Sequence, residues 1–101
     1  MDITLNGHTM TANLTGELDH HTAAYMRSSI DAAFVRQKPR ELVLDFSRIT
    51  FMDSSGVGLV LGRYKRTREK NCLLVLSGLS ERDGKMMRMS GMQKMELIEF
   101  R

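Results

Sequence analysis

The sequence contains almost no cysteine, proline or tryptophan. Among its 101 residues there is one cysteine, one proline and no tryptophan. A single thiol, Cys72, cannot form an internal disulfide, which excludes the small secreted domains that disulfides hold together. No segment has the composition of a linker or a low-complexity tract, and no internal repeat of fixed period is present.

Long hydrophobic runs are missing as well. The longest, such as Val57 to Leu61, is interrupted by a glycine and is far shorter than the roughly 20 residues that cross a bilayer. The N-terminal residues Met1 to Thr4 lack the basic and apolar regions of a secretory signal. With the lone cysteine, these absences predict a soluble protein of the reducing cytoplasm that does not bind a membrane.

What the chain contains is enough for one ordinary folded domain. Hydrophobic residues make up 42% and charged residues 27% of the sequence, as is typical of globular proteins. A chain of 101 residues supports one hydrophobic core and not two. We therefore expect a single domain over residues 1–101, monomeric when free.

The charge balance is mildly basic. Lys and Arg outnumber Asp and Glu by 15 to 12, and the excess lies in the second half, notably between Arg63 and Arg68. This segment falls in a predicted helix whose alternate turns would carry the charges into water, and no row of aromatic residues accompanies it for base stacking. The pattern favours a solvated helix face and leaves open a surface for an acidic protein partner. Direct binding of nucleic acid is not expected.

Hydrophobic periodicity predicts the first half of the fold. Alternating apolar residues around Asn6-Gly7, a pair suited to a type I′ turn, indicate an N-terminal β-hairpin. After a loop over residues 16–21, Thr22 is the predicted cap of a helix that Lys38-Pro39 ends. The apolar stripe of this helix comprises Ala23, Met26, Ile30, Ala33 and Phe34. The run from Leu42 to Phe46 predicts a central strand covered on both faces by helices.

The second half repeats the pattern of helix and strand. A helix is expected from about Ser54 to about Lys70, with Val57, Val60, Leu61 and Tyr64 facing inward, followed by a buried strand from Cys72 to Leu76. A third helix, from Ser80 or Glu81 to about Met89 and closed by Ser90-Gly91, precedes an edge strand over Leu97 to Phe100. The order ββαβαβαβ predicts an α/β domain with one mixed sheet of four to five strands and helices packed on it.

Two features stand out from this pattern. Five of the nine methionines lie near the third helix, namely Met86, Met87, Met89, Met92 and Met95. They favour soft core packing and leave open an adaptable contact surface. The second feature is the segment Asp53-Ser54-Ser55-Gly56-Val57-Gly58 at a helix start. The partial positive charge of the helix N-terminus would stabilise a phosphate on Ser54. The glycines would allow the backbone of another protein to approach closely. From the residues alone, an ordinary helix cap with glycines that serve internal packing remains open.

Two separated motifs resemble those of a known family. The first is Thr15-Gly16-Glu17-Leu18-Asp19-His20-His21-Thr22-Ala23, and the second runs from Phe51-Met52-Asp53-Ser54-Ser55-Gly56-Val57-Gly58 to Leu61-Gly62-Arg63-Tyr64-Lys65. In this order and spacing, over nearly the whole chain, they resemble the anti-sigma factor antagonists of the STAS family, most of all those that control sigma F in sporulation. The segment Ser80 to Met87, less apolar than is usual there, and the end at Arg101, where such proteins often continue into another helix, depart from the family pattern.

The resemblance implies a STAS-like domain that acts as a switch and not as an enzyme. The serine directly after the aspartate is the phosphoryl acceptor in that family, which corresponds to Ser54 and not to Ser55. The unphosphorylated form binds an anti-sigma factor, a serine kinase carrying adenine nucleotide, and so releases the sigma factor for transcription. Phosphorylation by that kinase ends the binding, and a serine phosphatase restores it. The implied partner-binding residues are Asp19, Asp53, Ser54, Ser55, Gly56 and Gly58.

Rival interpretations have weaker support. For Asp19, an aspartate that merely caps a loop remains open. A serine esterase would use Ser54 with His20 or His21 and Asp19, but the serine lacks the G-x-S-x-G elbow. Adjacent His20 and His21 diverge and have no third ligand at metal spacing, and the glycines do not match a dinucleotide loop, so neither a metal nor a cofactor is expected. A protein-interaction module without a switch is the remaining alternative.

Overall fold

A five-stranded sheet with three α-helices makes up the computed structural model, which describes residues 1–101. The elements are β1 (Asp2–Asn6), β2 (Thr9–Leu18), α1 (His20–Gln37), β3 (Glu41–Met52), α2 (Ser55–Glu69), β4 (Leu73–Ser77), α3 (Glu81–Met89), a 3₁₀ turn (Met92–Lys94) and β5 (Ile98–Phe100). Strand order follows chain order; β1 is antiparallel to β2, and every other pairing is parallel. The predicted mixed sheet and element order are confirmed.

The three helices cover the same face of the sheet. Each parallel connection moves one strand further in the same direction, and right-handed crossovers then place every helix on one side. Burial agrees, because Ile30 of α1, Val60 of α2 and Met87 of α3 belong to one hydrophobic cluster with the strand residues Met10 and Leu44. The three helices therefore share one core with this face of the sheet.

The prediction that β3 is covered on both faces is wrong. Leu42, Leu44 and Phe46 are buried, whereas the alternate residues Val43 and Asp45 are half-buried. The reason is that all helices lie on one side, so the opposite face has no layer of its own. None of the helices combines the length and the apolar composition needed to span a membrane.

The N-terminal hairpin forms, but its turn differs from the predicted one. Asn6 pairs with Thr9, so the two turn residues are Gly7 and His8. Only Gly7 has a positive φ, at 63°, whereas a type I′ turn needs positive φ at both central positions. A glycine at the first central position with φ positive there alone is the pattern of a type II′ turn.

Two further predictions near the helices require correction. The expected loop over residues 16–21 is almost absent, since β2 continues to Leu18 beside β3 and α1 begins at His20. In α2, Leu61 is 36% exposed and Arg63 is 5% exposed, which reverses the predicted inward and outward positions. Tyr64 and Val57 are only partly buried. The stripe that faces the core comprises Gly56, Leu59, Val60, Arg63 and Thr67.

The methionines near α3 divide between core and surface. Met87 and Met92 are fully buried in the hydrophobic cluster. Met86 and Met95 are half-buried, while Met89 is 79% exposed. Core packing therefore accounts for part of the cluster. Ser80 caps α3 by accepting a hydrogen bond from the backbone N–H of Asp83. The predicted end at Ser90-Gly91 is confirmed, since Gly91 follows the helix with φ 88°.

Candidate functional site

The two sequence motifs meet at one edge of the sheet. Leu18, the last residue of β2, is the parallel partner of Met52, the last residue of β3. The backbone N–H of Asp53 donates a 3.2 Å hydrogen bond to the carbonyl of Leu18. Helices α1 and α2 begin directly after these strands, so the residues that follow, Asp19 and Asp53-Ser54, lie side by side at this edge.

Asp19 caps α1. Its carboxylate accepts hydrogen bonds from the backbone N–H groups of His21, at 2.9 Å, and Thr22, at 3.0 Å. The Thr22 hydroxyl in turn accepts a 2.9 Å bond from the Asp19 N–H, which completes a capping box. The predicted cap, Thr22, is thus the third helical residue and not the cap itself. The bond from the Thr22 N–H is the largest cause that lowers the pKa of the Asp19 carboxyl.

Ser54 precedes the first residue of α2 and has a free hydroxyl. Its backbone is already helical, with φ −63° and ψ −12°, its side chain makes no capping hydrogen bond, and the residue is exposed. The neighbouring Asp53 performs the capping instead, because its Oδ1 accepts a 2.8 Å bond from the Ser55 N–H. The sequence had left open whether Asp53 or Ser54 is the cap. The hydroxyl of Ser54 therefore has no role in holding the helix start.

Most backbone donors at this helix start already have partners. The N–H of Gly56 bonds to the carbonyl of Asp53, and those of Val57 and Gly58 bond to the carbonyl of Ser54. Only the N–H of Ser54 remains free in this turn. A phosphate on Ser54 would gain from the partial positive charge of the helix end, but it would not be enclosed by a ring of donors. It would project from the surface beside the Asp53 carboxylate.

The glycines of α2 differ in their surroundings. Gly56 is buried, and a Cβ there would overlap the side chain of Met52. Its lack of a side chain therefore has an internal cause, the close packing of α2 on the end of β3. Gly58 is exposed, and nothing lies within 4 Å of a Cβ built on it or on Gly62. No contact inside the protein requires glycine at those two positions.

A buried ion pair behind this surface was missed by the sequence interpretation. Arg63 Nε lies 2.7 Å from Asp31 Oδ1, and the two side chains are 6% and 17% exposed. Arg66 approaches the other oxygen of Asp31 at 3.3 Å. The predicted solvated face of the basic segment is therefore wrong for Arg63. The available signal was the spacing of Arg63 at three and four residues after Val60 and Leu59, which puts it on the inward stripe.

The rival chemical sites gain nothing from the geometry. His20 and His21 stand with ring centroids 6.0 Å apart, and no group of three or more His, Cys, Asp or Glu residues is arranged to hold a metal ion. The Ser54 hydroxyl has no hydrogen bond to a histidine. The Asp19 carboxylate accepts the hydrogen bonds that cap α1. A nucleophile paired with a base and an orienting carboxylate is the minimum for esterase chemistry, and these residues do not form one.

Comparison with known proteins agrees with this architecture. The STAS domain profile matches residues 1–100. The chain is 36% identical over 85 residues to an anti-sigma F factor antagonist of Paenibacillus polymyxa, over 84% of this chain and 73% of that protein.

Solved structures give the same family. The unphosphorylated form of the anti-sigma factor antagonist SpoIIAA has a TM-score of 0.74 and 32% identity, over 87% of this chain and 81% of that one. The phosphorylated form of the Bacillus cell fate determinant SpoIIAA has a TM-score of 0.77 and 31% identity, over 99% and 89%. With the profile match over nearly its whole length, the chain belongs to the STAS domain family.

Proposed function

We propose that the protein is an anti-sigma factor antagonist that is switched off by phosphorylation of Ser54. The unphosphorylated form binds an anti-sigma factor, a serine kinase with bound adenine nucleotide, and releases the sigma factor. The kinase then transfers a phosphoryl group to Ser54, and a serine phosphatase removes it. The protein itself is a substrate and a binding partner, not a catalyst, and acts in the cytoplasm.

The observation that carries this proposal is the free, exposed hydroxyl of Ser54. Side chains at the start of a helix are commonly used as caps, but here Asp53 provides the cap through its 2.8 Å bond to the Ser55 N–H. Ser54 can therefore be modified without loss of a structural hydrogen bond. Relatives with structures in both phosphorylated and unphosphorylated forms support this assignment.

The binding surface surrounds this hydroxyl. Asp53 precedes Ser54, Asp19 follows the neighbouring strand end at the same edge of the sheet, and Ser55 and Gly58 continue along α2. Gly56 is buried against Met52 and takes part in the surface through its backbone at most. An interface built on these residues encloses a neutral hydroxyl, and a phosphate there adds about −1.5 to −2 charge at neutral pH beside two carboxylates. Burial of that charge without a counter-ion opposes binding.

The test is reconstitution with purified components. The chain is mixed with the anti-sigma factor kinase of its own organism, the matching sigma factor and ADP or ATP, and complexes are separated by size-exclusion chromatography. We expect the unphosphorylated chain to displace the sigma factor, and the product formed with ATP, which gains one phosphate by intact mass, to lose that ability. A chain that never binds the anti-sigma factor contradicts the proposal, as does ester hydrolysis that depends on Ser54. Binding that is unaffected by phosphorylation would favour the interaction module without a switch.

A further inference from the structure

A groove of about 540 Å³ lies between α1 and α2, next to the Ser54 surface. His20, His21 and Arg27 of α1 line one side, and Gly58, Gly62 and Arg63 of α2 line the other. It is open to solvent along the outer surface of the two helices. The groove includes Ser55 but not Ser54, so it extends the surface around the acceptor serine along α2.

The two glycines keep the groove open at a cost to the helix. Glycine in a helix interior is less stable than alanine because it loses more backbone freedom on folding. At Gly56 the close packing against Met52 offsets this loss of helix stability. A Cβ on Gly58 or Gly62 would meet nothing within 4 Å. Their use therefore has no cause inside the domain. A contact with another molecule is the cause that the fold leaves for a bare backbone at these positions.

The floor of the groove carries excess positive charge. The side chain of Arg63 is only 6% exposed, and its Nη1 has no hydrogen-bond partner. Nε has the ionic contact with Asp31 at 2.7 Å, although the two atoms do not form a well-directed hydrogen bond. Burial lowers the pKa of the Arg63 guanidinium; Asp31 opposes this shift, and the positive charges of Arg66 and Arg27 add to it. Two guanidinium groups, those of Arg63 and Arg66, thus share the Asp31 carboxylate, and Arg27 adds a third positive charge beside Arg63.

We propose that this groove receives an acidic side chain of the partner protein, with the partner's backbone lying over Gly58 and Gly62 and its carboxylate pairing with Arg27 and Arg63. A carboxylate is the group that such a site recognises, because it supplies the missing negative charge and matches the planar guanidinium fork. The inference rests on the proposed function, since the partner is the anti-sigma factor. It adds Gly62, Arg27 and Arg63 to the binding surface.

The glycines allow a test in which stability and affinity change in opposite directions. Gly58→Ala and Gly62→Ala should raise the melting temperature of the free chain by a few degrees, since alanine favours helix and no neighbour obstructs its Cβ. Both should weaken binding to the anti-sigma factor, measured by calorimetric titration, at least tenfold. Gly84→Ala is the matched control, because its Cβ would meet only the flexible end of Arg88, in α3, and should leave affinity unchanged.

The charge is tested separately with Arg27→Gln. This exposed residue can be changed without breaking the Arg63–Asp31 pair, and we expect about tenfold weaker binding with a shallower dependence on salt. Arg36→Gln, at the other end of α1, is the control and should bind as the wild type does. Wild-type affinity in the glycine variants or in Arg27→Gln would overturn the groove assignment while leaving the switch intact. Failure of the wild-type chain to bind would overturn both. An Arg27-dependent affinity for inorganic phosphate, with partner binding unchanged, would make the groove a free-anion site instead.

Discussion

The Asp53 carboxylate accepts a 2.8 Å hydrogen bond from the backbone N–H of Ser55, and the side chain of Ser54 between them takes no part in this bond. The residue in between has helical backbone angles and a hydroxyl without a capping bond. Helix capping and the proposed phosphoryl acceptor are therefore assigned to different side chains. This separation explains how a modification at the very start of a helix can leave the fold intact.

The first prediction concerns the role of these neighbours in stability. Ser54→Ala should change the free energy of unfolding by less than about 0.5 kcal/mol, as surface substitutions usually do. Asp53→Ala removes the cap and should cost about 1 kcal/mol. Urea denaturation followed by circular dichroism measures both. Equal losses for the two variants would mean that Ser54 shares the capping role.

The second prediction concerns the site of phosphorylation. With the anti-sigma factor kinase and ATP, Ser54→Ala should abolish labelling, whereas Ser55→Ala should retain a substantial fraction of it. The reason is that the Ser54 hydroxyl is exposed and free, while Ser55 is half-buried in the first turn of α2. Peptide mapping by mass spectrometry identifies the modified residue. Labelling that disappears only with Ser55→Ala would show that the acceptor is the other serine.

The third prediction concerns the switch. Ser54→Asp should keep the wild-type circular dichroism spectrum, because the helix start tolerates negative charge, yet bind the anti-sigma factor far more weakly. A loss of about 3 kcal/mol corresponds to roughly a hundredfold in affinity. Ser54→Ala should bind and resist inactivation by ATP. Calorimetric titration compares the variants, and unfolding of Ser54→Asp would indicate that the charge acts through the fold.

The fourth prediction concerns the buried ion pair. Asp31→Asn removes the counter-charge of Arg63, whose side chain is 6% exposed, and should lower the free energy of unfolding by about 3 kcal/mol. Glu96→Gln is the comparison, because it breaks an ion pair with Arg68 in which Glu96 is 80% exposed, and should cost less than about 0.5 kcal/mol. Urea denaturation measures both. Similar small losses would show that the Arg63 pair adds little to stability.

The fifth prediction concerns Cys72. Burial is the main cause that raises the pKa of its thiol from 9.0 to about 11. The folded state therefore holds this proton more tightly than the unfolded state, so the contribution to stability is complete below pH 9 and is lost as pH rises from 9 towards 11. Cys72→Ala should show a smaller fall in stability over this window. Thiol reagents should label the native protein slowly and the urea-unfolded protein rapidly, and fast native labelling would contradict the burial.

Local patterns predicted the elements that depend on neighbours in the chain. The stripe from Met26 to Phe34 and the Lys38-Pro39 stop define α1, and Ser90-Gly91 ends α3 as expected. The resemblance of the two motifs to the family predicted the STAS fold. It also predicted that Asp19 and Ser54 belong to one binding surface. The predictions were wrong where contacts with other elements determine the role of a residue. Thr22 was mistaken for the cap because its side chain suits that role, although the preceding Asp19 takes it once β2 extends to Leu18.

The sequence by itself determined the periods of its helices and strands, and with them the ββαβαβαβ order, and its two motifs carried the resemblance to the family. Only the tertiary structure decided which side chains meet across elements. An arginine is usually a surface residue, but the packing of α1 against α2 brings Asp31 to 2.7 Å from Arg63, and this partner compensates for the burial of its charge. Gly56 and Gly58 look alike in the sequence, yet Met52 packs against one and nothing packs against the other. Such contacts join residues far apart in the chain, and local periodicity carries no information about them.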